Sequence, residues 1–362
     1  MEERQDMLSL LLRGDGISEE KKEALLEILE EALPEGERQE FRDIREGQKL
    51  PSLTSDVIAK RIFSPELHPE RLEKLLRLVT GDEGIKVKSQ AGDELPARSV
   101  FGKKIITDIP AVAEDGRRID LEVQVKAQDF IFRRMDIYSS DLLMIQYSVE
   151  EGKPKGQLDY TNVEGVLLIV LMRKSPAAFQ GHDSRKFIAG EDEAKAKRYV
   201  HRFGNQVADT GLSYKSLLSV AYVQLDECLS QYIQGLNGED SDEMQSFLAM
   251  IADVNNEKVQ ENIKGIPFGA EIMGELKEMS SNKEVQVMML EEKYARSDWY
   301  SSISAARREG EVTGKVNGQE KLVRAVGLMN SGAEDEKILA SGIDKQTLEY
   351  AKTIQRTMAK SV

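Results

Sequence analysis

Apolar and polar positions alternate most cleanly between Arg118 and Lys126. Ile119, Leu121, Val123 and Val125 fall on one parity, and Arg118, Asp120, Glu122, Gln124 and Lys126 on the other. That period of two predicts a half-buried strand with one apolar and one charged face. Residues 105–113 read as a second strand. The linking Glu114-Asp115-Gly116 suits a three-residue hairpin loop with glycine in the left-handed position. Pairing Ala113 with Arg117 then sets Asp108 directly across from Glu122, with Ile105, Ile109 and Ala111 on the opposite face beside Leu121, Val123 and Val125. A two-residue Asp-Gly turn would set Asp108 across from Val123 instead, so the loop length decides the pairing. Pro110 lacks a ladder donor and predicts a bulge or an unpaired edge.

Elsewhere the apolar spacing changes to that of helices. Residues 2–47 predict two or three short amphipathic helices. A helix should begin near Ser55 or Asp56, and another runs from Pro69 to Leu78 with Gly81 ending it. Asp129 to Val149 predicts a helix with Phe130, Met135, Tyr138, Leu142 and Met144 or Ile145 inward. The continuous apolar run Val163–Met172 is the pattern of a strand covered on both faces. Ile85–Ser89, Lys197–Phe203 and Leu217–Leu225 read as further strands. The strand, helix, strand order implies a crossover, hence an α/β fold with a mixed sheet flanked by helices and helical extensions at both ends. From Glu239 onward the chain reads as helical and polar. Val285 to Leu290, with Tyr294, Trp299 and Ile303, forms a stripe for core packing or self-association, and the glycines at 310, 314 and 318 weaken the following helix. The expected organisation is a helical extension over 1–50, a main domain over 51–230, a helical region over 231–304 and a charged helical tail over 305–362.

Composition narrows the chemistry. With 362 residues the chain can bury a large core, and the single Cys228 excludes an internal disulfide and a multi-cysteine zinc site. No secretory signal is visible at the N-terminus, and the longest apolar run is far below the roughly 20 residues that span a bilayer. A cytoplasmic protein without a membrane segment is the expectation. A formal charge of −14 excludes an all-over basic coat for nucleic acid. Any DNA contact must therefore be local, at clusters such as Lys103-Lys104, Arg117-Arg118, Arg133-Arg134 or Arg185-Lys186, which read equally well as solvated charge. His68, His182 and His201 are isolated from one another, and no hydrolase nucleophile motif or phosphate-cradling glycine loop is present.

The opposed Asp108 and Glu122 carry the candidate chemistry. Two facing carboxylates beside apolar Ile106 and Val112 repel unless a cation or a proton intervenes. Oxygen ligands from one or two carboxylates with water are what magnesium takes, and such an ion can position a hydroxide against a phosphodiester. Gln124 projects from the same face and could orient the water.

Asp108, Glu122 and Gln124 in this spacing resemble the PD-(D/E)XK nuclease superfamily. The likeness is to its transposase-associated, recombination-promoting branch, in which glutamine commonly stands for the superfamily lysine. Ser55 to Phe63 is similar to that branch's opening Asp-x-x-x-Lys-x-x-Phe helix, Arg134 and Tyr138 to its Arg-x-x-x-Tyr helix, and Tyr160 with VEGVLLIVLM to its next strand. The likeness covers about residues 53 to 230 and implies a restriction-endonuclease-like core. It also implies a magnesium- or manganese-dependent endonuclease acting on DNA in transposition or recombination. Asp108 and Glu122 would hold the metal, with the Val123 carbonyl and Asp56 as further ligands, although Asp56 also reads as a helix cap. Gln124 would orient water, and Lys126 would supply the positive charge that an amide lacks. Arg134, Tyr138 and Lys60 would contact phosphate, or else pack as ordinary surface pairs. The competing expectation is a decayed nuclease fold acting as an interaction or DNA-binding module, with self-association through the C-terminal helices.

Overall fold

A computed structural model describes residues 7–9, 11, 18–88, 108–148, 163–180, 198–236, 242–331 and 333–359, apart from the side chains at 19, 145, 147, 148, 180, 298–319, 330 and 354–359. Two compact units divide the chain, 1–292 and 293–362.

The first unit is built on a six-stranded mixed sheet with the order β1-β2-β3-β4-β8-β5. The strands are β1 (Val87–Lys88), β2 (Ile109–Ala113), β3 (Arg118–Gln124), β4 (Val166–Met172), β5 (Val200–Phe203) and β8 (Leu218–Gln224). A separate small ribbon pairs β6 (Gln206–Val207) with β7 (Ser213–Tyr214). β3, β4 and β8 run parallel, while β1, β2 and β5 are antiparallel to their neighbours. Every residue of β4 is buried, as an unbroken apolar strand between two parallel neighbours requires.

The helices of this unit that bear on the site are α1 (Glu19–Glu31), α2 (Glu35–Arg45), α3 (Asp56–Ile62), α4 (Pro69–Thr80), α5 (Ile131–Ser148), α6 (Ala177–Gln180) and α7 (Leu225–Gln234). The proline at the first position of α4 costs no hydrogen bond there, and Gly81 closes the helix at φ 76°. α5 lies against one face of the sheet. Ile131, Met135 and Leu142 pack on Val166, Leu168, Val170 and Met172, a burial that contributes about 1.5–3 kcal/mol for each large side chain. Phe130, expected to point inward, is instead 56% exposed, and Met144, one of two alternatives with Ile145 for the end of the stripe, is 53% exposed, the Ile145 side chain lying outside those described. Phe130 precedes the first helical turn, and Met144 lies two residues beyond the buried Leu142, on another side of the helix.

The hairpin forms as its loop length dictates. Ala113 N–H donates to the Arg117 carbonyl, Gly116 sits at φ 86°, and Ile109 pairs with Leu121. A side chain at Gly116 would also collide with Glu164 Cγ, 2.8 Å from an ideal Cβ. The expected distortion at Pro110 is absent, for Pro110 pairs in register with Asp120. Because Ala113 and Arg117 exchange a hydrogen bond, 111/119 and 109/121 are bonded pairs and 110/120 is a non-bonded one. The proline nitrogen therefore points away from β3, where no ladder donor is needed. Residues 105–107 lie outside the described residues, as do Lys103-Lys104, Tyr160, His182 and Arg185-Lys186.

The unit boundary falls within the helix Lys283–Asn330, which runs unbroken through the three glycines. Each costs about 1 kcal/mol relative to alanine without removing a hydrogen bond, so good helix formers on either side carry the helix across. In the second unit Ala325, Ile338, Ile343, Leu348 and Ala351 form a small core among this helix, Asp335–Ala340 and Lys345–Ala359. Among the described residues no helix is long and apolar enough to cross a membrane.

Candidate functional site

Asp108 immediately precedes β2, and its carboxylate accepts from the Val123 amide of β3, close enough to Glu122 to raise its pKa. Asp120 and Glu122 project from the same face two residues apart and are both fully buried. This is the face that α5 covers, because Asp120 and Glu122 align across the parallel ladder with Leu168 and Val170. Three carboxyls thus share one buried surface.

Burial raises the pKa of all three, since a charged carboxylate loses its hydration there. Asp108 rises to about 6, its burial only partly offset by the Val123 amide, which donates to Oδ2 at 2.8 Å. Asp120 and Glu122 are pushed further, first by burial and then by their carboxylate neighbours, to about 7 and about 9. Both oxygens of Asp120 and Oε1 of Glu122 make no hydrogen bond of normal geometry, although the Glu122 carboxyl and the Ile109 amide lie close enough to Asp120 to lower its pKa in part.

The other predicted side chains divide into those the fold brings here and those it does not. Gln124 donates through Nε2 to Glu122 Oε2 at 3.1 Å. Arg134, on the first turn of α5, donates to Gln124 Oε1 at 3.2 Å and to Glu122 Oε2 at 3.4 Å. Its Nε donates to the Tyr138 hydroxyl at 3.1 Å, as residues four apart on a helix can. Arg134 is thus the cation of this cluster. Lys126 is exposed beyond the end of β3, and no contact joins it to the acids. On α3 the N-cap is Ser55, and Asp56 is the first helical residue, ion-paired to Lys60 at 2.9 Å. Asp56 and Lys60 still act on Asp108 through space, the acid raising its pKa and the lysine lowering it.

Sequence reasoning passed over Asp120 as one charge on a polar strand face. The signal was present, because its parity is that of Glu122, two residues on along the same strand. A second polar network, at the carboxyl ends of β4 and β8, was also missed. Ser175 donates to Asp226, Gln224 donates to Ser175, and His201 Nε2 is 2.8 Å from Gln224 Oε1. Its members are far apart in sequence, and only the sheet order joins them.

The donor set suits a hard divalent cation. It is all oxygen, and an ion would offset the lost hydration that chiefly raises the three pKa values and the repulsion from Asp108 that adds to those of Asp120 and Glu122. Among the described residues no group of three or more Asp, Glu, His or Cys side chains is arranged to hold a metal ion. One or two carboxylates with water filling the remaining positions is the pattern magnesium accepts.

Residues 53–182 match the family model described as PD-(D/E)XK nuclease family transposase. No curated relative and no solved structure matches the chain at a significant level.

Proposed function

We propose, from the match of residues 53–182 to the PD-(D/E)XK nuclease family transposase model, that this chain is a divalent-metal-dependent DNA endonuclease serving transposition or recombination. The observation that supports this most is the gathering of three carboxyls at the β2–β3 hairpin, with Asp120 and Glu122 fully buried and Asp108 held beside them by the Val123 amide. Asp108 and Glu122 would hold magnesium or manganese, with the Val123 carbonyl and Asp56 as possible further ligands. When bound, the ion supplies Lewis-acid polarisation of the phosphodiester and lowers the pKa of a water.

The chain's own side chains do the rest. Gln124, fixed between Glu122 and Arg134, orients the attacking water through its amide. Arg134 supplies the positive charge that the neutral amide cannot, and so takes the role expected of Lys126. The water oxygen bonds to phosphorus, one P–O ester bond breaks, the water proton passes to solvent, and the leaving oxygen takes a proton in turn. Arg134 faces the charge that develops on the phosphoryl oxygens, with Tyr138 holding the guanidinium by its hydroxyl and ring. Lys60 would steady a neighbouring phosphate.

One observation favours the reading of a decayed nuclease fold, namely that Arg134 already partly neutralises Glu122 without any metal. Magnesium-dependent nicking of supercoiled plasmid by the wild-type protein and by Glu122→Ala separates the two. The nuclease reading expects nicking by the first and none above background by the second. Equal background from both would establish the interaction module instead.

A further inference from the structure

The face that carries the carboxylates continues across the sheet into an aromatic cluster that the proposed chemistry does not use. Glu122 aligns with Val170 on β4, Val170 with Tyr222 on β8, and Tyr222 with His201 on β5. Strands are about 4.8 Å apart, so Tyr222 is about 10 Å from Glu122 along the same surface. Phe132, on the first turn of α5, stacks on Phe179 with centroids 5.1 Å apart and meets Tyr222 at 5.0 Å. Phe203, on the edge strand β5, meets Tyr222 edge-on at 5.9 Å. Phe179 and Tyr222 are buried, whereas Phe132 is 36% and Phe203 56% exposed. Two rings of the cluster thus remain open to solvent, held by two rings that are fixed.

The surroundings are basic on the side toward the site. Lys126 follows β3 and Arg173-Lys174 follow β4, so these cations border the ends of the parallel strands, and Arg133 neighbours Phe132 in sequence. Among the described residues none of the four makes an ion pair. Asp129 and Asp136, both exposed, bring negative charge to the same stretch of chain, and burial, with Asp136 second, raises the pKa of the Tyr222 hydroxyl. Held aromatic rings with open faces beside unpaired cations form the arrangement that binds single-stranded nucleic acid, because any base can stack and the backbone follows the charge. A paired base inside a duplex exposes no face for such stacking.

We propose that Phe132 and Phe203 stack unpaired bases next to the phosphate presented to Asp108 and Glu122, so that the substrate is DNA with a single-stranded segment rather than continuous duplex. This rests on DNA being the substrate. The test uses full-length Glu122→Gln protein with magnesium and measures Kd by fluorescence anisotropy for a single-stranded oligonucleotide and for the same sequence as a blunt duplex. A second oligonucleotide, carrying 2-aminopurine, reports stacking by quenching. The single strand should bind more tightly than the duplex, with quenching on binding. Adding Phe132→Leu and Phe203→Leu should weaken single-strand binding at least tenfold, abolish the quenching and leave duplex binding unchanged. Phe203→Leu alone, at an exposed edge where folding is not at stake, should give a smaller loss of the same kind. Tighter binding of the duplex, or equal weakening of both DNA forms by the leucine variants, would overturn the proposal while plasmid nicking by the wild type keeps the nuclease reading intact. No DNA binding and no nicking would overturn both.

Discussion

Among the described residues, two of the places that bury charge differ in how well the charge is matched. At one, the guanidinium of Arg71 on α4 is nearly inaccessible but meets Glu275 in two hydrogen bonds of 3.0 and 2.6 Å, and the Glu275 pKa is lowered, first by that hydrogen bond. At the other, Asp120 and Glu122 sit fully buried without a matching cation of their own strength, and their pKa values are raised first by burial and then by Asp108. A matched pair reports only that the fold tolerates it. An unmatched cluster is held in place by the surrounding packing, and it marks the place where a ligand would improve the energetics.

The largest effect that could break this contrast is on activity. Glu122→Ala and Asp108→Asn should each lower magnesium-dependent nicking by about 10³-fold or more, the loss expected when several kcal/mol of metal-borne charge stabilisation disappears. Glu275→Ala should leave the activity of the folded protein near wild type. Plasmid nicking at matched concentrations of folded protein checks both, and a large loss from Glu275→Ala would erase the distinction.

On stability the order reverses. Glu275→Ala strands the buried Arg71 and should cost about 3 kcal/mol, near the lower end for a broken buried pair because Glu275 is itself partly solvated. Asp120→Asn removes a buried repulsive charge at similar volume and should stabilise the metal-free protein by about 1 kcal/mol, a gain that vanishes as magnesium is added. Urea midpoints with and without magnesium measure both. A destabilised Asp120→Asn would mean that its carboxylate is already compensated.

Much of this was legible because hairpin arithmetic is local. A three-residue loop with its glycine fixed which residues of β2 and β3 oppose, so the pairing of Ile109 with Leu121 and of Pro110 with Asp120 followed from Gly116 alone. The apolar run of β4 likewise announced a strand buried on both faces. Sequence failed where the deciding contact crosses elements. That Arg134 rather than Lys126 stands over Glu122 depends on how α5 packs on the sheet, and a period of two cannot say that β3 ends before Lys126. The matched Arg71 was invisible for the same reason, its partner lying 204 residues away.

The subtlest difference between the two charge sites is the direction in which they respond to pH. Asp108, Asp120 and Glu122 have folded-state pKa values of about 6, about 7 and about 9, above the unfolded carboxylate range near 4. Their contribution to stability is therefore fully present below about pH 4 and is lost as pH rises toward 9, because the folded state alone must give up protons it prefers to keep. Glu275 runs the other way, its pKa lying below the ordinary value, so its contribution is present above pH 4 to 5 and lost as acid protonates it. Metal-free protein should accordingly lose several degrees of Tm between pH 5 and 8.5, and magnesium should restore more at pH 8.5 than at pH 5 because it competes with those protons. In Glu122→Gln the alkaline loss should shrink, while in Glu275→Gln the acid limb should flatten and the alkaline one persist. Differential scanning fluorimetry across that range, with EDTA or magnesium, measures all four. A Tm that rises toward pH 8.5 in EDTA would mean the three acids are already ionised and matched in the folded protein, which would make them structural in the same sense as Arg71 and Glu275.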